Sequence, residues 1–125
     1  LHKYPGPQAP VFDGVRACVL GECGGLGLPV EGHLWKSQEP WSYSRLQRVE
    51  DLADRYIHLI GEIKVLAETQ GLSAAVITQW TDVENEVNGM LTYDRAVVKL
   101  GMERLAGINQ KLSGMTGLYG ASTVK

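Results

Sequence analysis

Apolar residues recur at alternating steps of three and four from Leu46 through Val49, Ala53, Tyr56, Ile60, Ile63 and Ala67. On a helix of 3.6 residues per turn that spacing keeps them on one side, so it predicts a long helix with a single buried stripe. Ser44 is the expected N-cap and Gly71 the expected stop, giving about seven turns. Two other apolar runs are shorter and carry β-branched residues. "VRACVL", closing at Leu20, and "LSAAVITQW", closing at Trp80, predict buried strands. A second helix is expected from Asp94, as its cap, through Val98, Met102, Leu105 and Leu112. The end of the chain, "SGMTGLYGASTVK", is dominated by small residues and reads as a loosely structured tail over 113–125, which leaves 1–112 as the folded part. No repeat at solenoid spacing and no low-complexity block interrupts this order.

Strand, long helix, strand, helix is the grammar of parallel α/β structure, in which each helix returns the chain to the same end of the sheet. The carboxyl ends of both strands then lie together, and they carry the unusual residues Glu22 and Trp80. Chemistry in such sheets and barrels gathers at that end. Strict alternation along the first strand points Glu22 inward with Leu20 and Cys18, while Ala17 and Val19 face the helices. Glu22 would then top an apolar column.

Composition narrows the function classes. With 125 residues, 44% of them apolar, and a formal net charge of −2, the chain has the make-up of one small folded domain. It has no basic excess that would recruit nucleic acid or an anionic membrane. No window approaches the roughly 20 apolar residues of a membrane span, and the opening "LHKYPGPQAP" lacks the apolar core of a signal peptide. It also lacks an initiator Met, so the chain reads as a piece of a longer protein.

Three motifs suggest chemistry that their spacing does not support. Cys18 and Cys23 sit about 16 Å apart if the strand is extended, well beyond disulfide reach, and they read as reduced, packed thiols. No Cys/His spacing suggests zinc. The oxygen-rich "DVENEVNG" places Val87 where a calcium loop needs glycine and lacks the closing glutamate. The glycines of "GECGGLG" have neither the Lys-Ser/Thr of a P-loop nor a dinucleotide fingerprint. Neither cofactor nor metal is expected.

What remains is a carboxylate at a strand end, followed by glycines that would let the chain turn and leave room for a substrate. "VLGECGGLGLPVEGHLW", then a helix, then "AAVITQWTDVENEVNGMLTYDR" resembles the last quarter of the catalytic barrel of glycoside hydrolase family 2, the β-galactosidase-like enzymes. "HKYPGP" is similar to the end of the sixth strand of the same group, so the resemblance covers residues 2 to 112. It implies that the chain is a fragment of a (β/α)8 TIM barrel, about the last two strand-helix units, which in the full-length parent hydrolyses β-glycosidic bonds with retention.

By the same resemblance Glu22 is the nucleophile. Trp80 is a wall for the C–H face of a pyranose, a core aromatic closing the barrel, or both, and Tyr4 and His2 bond the nucleophile or sugar hydroxyls or brace a loop. His33 is a rim candidate, and Asp82 and Glu84 are the functional members of an acidic loop whose polar groups hold one another and the sugar. The acid/base glutamate would lie at the end of the fourth strand, before residue 1, so the fragment alone is expected to be inactive and to need the rest of the parent barrel. Two positions depart from the family pattern: Cys23 stands where an aromatic residue commonly follows the nucleophile, and Leu1 where an acid commonly precedes the H-x-Y-P run. The competing expectation is a non-catalytic carbohydrate-binding or scaffolding barrel.

Overall fold

The computed structural model describes residues 1–36 and 39–113. Among these the order is β1 (Cys18–Gly24), β2 (Leu26–Gly27), β3 (Ser44–Arg45), α1 (Val49–Gln70), β4 (Leu72–Thr78) and α2 (Met102–Ser113). The chain is therefore mixed α/β with short parallel strands. β1 pairs with β4 and β2 with β3, both in parallel. The expected tail beyond 113 lies outside the described residues.

α1 begins later than the periodicity suggests. Ser44 is not its cap but part of β3, opposite Leu26, and Leu46 continues that contact by donating its N–H to Gly27. The helix starts after Arg48, whose backbone is extended and whose guanidinium holds Asp51 at 2.6 Å. Glu50 and Asp51 in the first turn suit the positive end of the helix dipole. The buried face is Leu52, Ala53, Tyr56, Leu59, Ile60 and Ile63, so the stripe read from the sequence is rotated: Val49 is exposed and Leu52 and Leu59 are inside. Gly71 ends the helix as expected, with φ of 70° and its N–H on the Leu66 carbonyl.

α2 starts at Met102, not at Asp94. Asp94 instead closes a turn, accepting bonds from the Thr92 hydroxyl at 2.6 Å and the Ala96 N–H at 3.1 Å. Gly101, with φ of 74°, separates that turn from the helix. α2 packs on α1 through Leu105 and Ile108, and Tyr56 donates across the interface to Asn109 at 2.8 Å.

β1 departs from strict alternation. Leu20 faces Ala75 and Cys23 faces Ile77, so three steps on β1 match two on β4, which is one extra residue, a β-bulge. The face that packs on the helices holds Cys18 and Leu20 before the bulge and Cys23 after it, all buried. This reverses the expected column: Cys18 and Leu20 belong to the core, whereas Val19 is turned to the open face. Val19 pairs with Ala74, both are exposed, and Val76 is 51% exposed on the same face of β4. Both cysteines are free and buried, as the spacing requires.

Residues 1–5 run along the second edge of β1. Leu1 accepts from Gly21 N, Lys3 donates to the Glu22 carbonyl, and Pro5 accepts from Gly24 N, with a parallel bridge between His2 and Glu22. β1 is thereby flanked on both sides by parallel chain.

An open sheet face with Val19, Ala74 and Val76 is an apolar surface seeking a cover. The 125-residue chain on its own should self-associate in sedimentation velocity at micromolar concentration, and Val76→Lys should reduce this. A monodisperse wild-type monomer with a sharp unfolding transition contradicts it.

Candidate functional site

Glu22 lies within the bulge, two residues before the end of β1, with its side chain 41% exposed on the side away from the core. Its neighbours come from the strands on either side. The Tyr4 hydroxyl is 2.5 Å from Glu22 Oε2 and 2.9 Å from Thr78 Oγ1 at the end of β4. A phenol has one proton, so Tyr4 donates it to the carboxylate and accepts from Thr78. Partial burial, then the bond to Glu22, pushes the Tyr4 phenol up to about 12, so it stays a donor at any physiological pH. His2 Nδ1 stands 3.4 Å from the same oxygen, Oε2. Tyr4 and His2, both expected beside Glu22, are therefore brought to its carboxylate.

The glycines after Glu22 serve a neighbouring segment of the chain. A Cβ on Gly25 would come within 2.5 Å of the Tyr43 ring, and one on Gly27 would overlap Ser42. They admit residues 42–45 against β2 rather than leaving a space there for substrate. Tyr43 stacks on Tyr4 with ring centroids 3.8 Å apart and planes 3° from parallel, and Trp41 meets Tyr43 edge-on at 4.8 Å. An aromatic row, half exposed at Trp41 and Tyr43, thus leads to the carboxylate. Cys23, next to Glu22, points the other way into the core, where burial raises its thiol to about 11 and leaves it an inert packing group.

Trp80 is 60% exposed, two residues beyond the end of β4, so its ring is no part of the core. Its backbone anchors the loop that follows: the Trp80 carbonyl accepts from Leu91 N, the Gln79 carbonyl accepts from Met90 N, and Gln79 N donates to the Asn88 carbonyl. Glu84 sits at the tip of a two-residue turn between Val83 and Glu86, exposed, with φ of 51°.

Asp82 is not at the surface. It is buried with Lys99, whose Nζ is 2.7 Å from Oδ1 and also bonds the Val87 carbonyl at 2.9 Å. Gly89 N–H adds a third contact, again on Oδ1, at 2.7 Å. Burial drives the carboxyl up and the ammonium down, and their contact opposes both shifts. Of the two roles expected for this acidic loop, Asp82 takes the one in which polar groups hold one another. Asn88, buried, does likewise between Gln79 and Glu86.

His33 pairs with Asp94 rather than with Glu22. Its Nδ1 is 2.7 Å from Asp94 Oδ2, and Trp35 meets Tyr93 edge-on beside it. Thr92, then His33, holds the Asp94 carboxyl down at about 2. Among the described residues no group of three or more His, Cys, Asp or Glu could hold a metal ion. No helix there is long and apolar enough to cross a membrane.

Sequence reasoning missed Thr78, Tyr43, Trp41 and Lys99. For Lys99 a signal existed: one lysine inside the apolar run "AVVKLG" must find a partner if that run is buried. Tyr43 carried none, because its place depends on the approach of β3 to β2.

No protein-family model matches this chain, and no curated protein sequence matches it.

Asp82→Asn leaves Lys99 buried without its counter-charge and should cost about 3–5 kcal/mol in urea unfolding of the full-length protein. The double change with Lys99→Met should recover most of that. An unshifted midpoint for Asp82→Asn contradicts the pairing.

Proposed function

We infer that Glu22 is the nucleophile of a retaining β-glycosidase, in a longer protein whose barrel this chain helps to build. One observation carries the reading: a solvent-reached carboxylate at the end of a parallel strand, gripped by a phenol from one flank whose oxygen is tied to the other.

The chemistry follows from that grip. Hydrolysis with retention needs a carboxylate to attack the anomeric carbon and a carboxylic acid about 5–5.5 Å away to protonate the departing oxygen. Glu22 Oε forms the bond to the anomeric carbon as the bond to the leaving oxygen breaks, and the acid's proton goes to that oxygen. Water, deprotonated by the same acid acting as base, then displaces Glu22. The Tyr4 hydroxyl orients Glu22 and stabilises its charge, which is present at the start and returns as the ester is cleaved. A hydrogen bond to a charged group contributes about 1.5–3 kcal/mol. Trp80, exposed beyond the neighbouring strand, offers its face to the C–H side of the sugar, and His2 borders the carboxylate. In this reading the acid belongs to a segment before residue 1, and the chain supplies one half of the catalytic pair.

The full-length protein, incubated with a 2-deoxy-2-fluoro β-glycoside matching its substrate, should be trapped as an ester on a peptide containing Glu22. Labelling of another carboxylate, or none with any β-glycoside under conditions of turnover, overturns the assignment.

A further inference from the structure

We propose that Tyr43 is a positioning residue for the nucleophile, its ring fixing the Tyr4 side chain so that the hydroxyl meets Glu22. Tyr4 lies on a segment whose backbone is bonded to β1 at Leu1, Lys3 and Pro5. Nothing in those bonds sets the rotation of the phenol. The stack does: Tyr43 lies parallel to Tyr4 at 3.8 Å and covers one face of it.

Tyr43 is in turn held from both sides in sequence. Before it, Trp41 exchanges backbone bonds with the far loop, donating to Asn85 at 2.6 Å and accepting from Val87 N at 2.8 Å. After it, Ser44 donates to Gly25 at 3.0 Å and enters β3 opposite Leu26. Between these two clamps the Tyr43 ring presses on Gly25, whose φ of 65° and missing Cβ make the approach possible. Trp41 packs against the same ring at 4.8 Å with its plane inclined by 64°. The row Trp41, Tyr43, Tyr4, Glu22 thus transmits the placement of β3 to the carboxylate. Ring contacts make these interactions, so a phenylalanine in place of Tyr43 preserves them.

The kinetic part of this inference rests on the nucleophile reading, and its spectroscopic part does not. In the full-length protein, with 4-nitrophenyl β-glycosides as probes, Tyr43→Phe should stay within about twofold of wild type, given the size of a ring-ring contact. Tyr43→Ala, and Tyr43→Leu as a variant that keeps bulk, should lower kcat by about tenfold with KM little changed. In a Tyr4→Phe background the same changes should add no further loss, because both act through one hydrogen bond. Additive losses, or a rise in KM alone, overturn the proposal. Without any sugar, the exchange-protected Tyr4 hydroxyl proton should appear by NMR in wild type and Tyr43→Phe and vanish in Tyr4→Phe and Tyr43→Ala. Its persistence in Tyr43→Ala, or absence in wild type, also overturns it. If the NMR pattern holds and no glycoside is turned over, the positioning stands and the nucleophile reading falls.

Discussion

One extra residue in β1 sets the direction of Glu22, on which the contacts of the site converge. Between Leu20 and Cys23 the strand takes three steps while β4 takes two. The bulge keeps Leu20 and Cys23 on the core side and turns Glu22 outward. Without it, either the carboxylate would enter the apolar core, where an ionised group is very costly, or Cys23 would leave it. Bulges of this kind re-aim a side chain where a strand ends its pairing. The flanking contacts converge on the same face: Tyr4 from one edge bonds Thr78 from the other, and Glu22, turned to the face they share, meets the same hydroxyl.

Two carboxylates near the strand ends have opposite surroundings, and the difference separates a buried structural pair from a carboxylate open to solvent. Asp82 is sealed with Lys99, bonded to a backbone N–H, and has no access to solvent. Glu22 keeps solvent access and its partner is a neutral hydroxyl, which can hold an anion without neutralising it. Asp82 and Lys99 fix the loop after β4 in place, and that loop bonds Trp41 through Asn85 and Val87. The buried ion pair and the aromatic row are thus parts of one support.

Legibility in the sequence followed how local each cause is. The long helix, its glycine stop, the two paired strands and the separation of the cysteines rest on spacing within short windows, and these were readable. The helix starts were not. Ser44 and Asp94 look like caps, but Ser44 is claimed by β2 and Asp94 by Thr92, Ala96 and His33, partners distant or non-helical. The face of β1 was misread because a bulge adds a residue without leaving a mark in the pattern. At the site, Glu22 stood out by type and place, and Tyr4 and His2 came with it. Tyr43 and Thr78 did not, since only the meeting of separate strands gives them a role.

The central claim is that Glu22 forms the bond to the anomeric carbon, and chemical replacement of that carboxylate tests it most directly. Glu22→Ala in the full-length protein, given an activated aryl β-glycoside, should be nearly inactive and should regain turnover with added azide. The product should be the α-glycosyl azide, since azide enters from the face the carboxylate occupied. Undiminished hydrolysis without azide, or a β-glycosyl azide, would contradict the account.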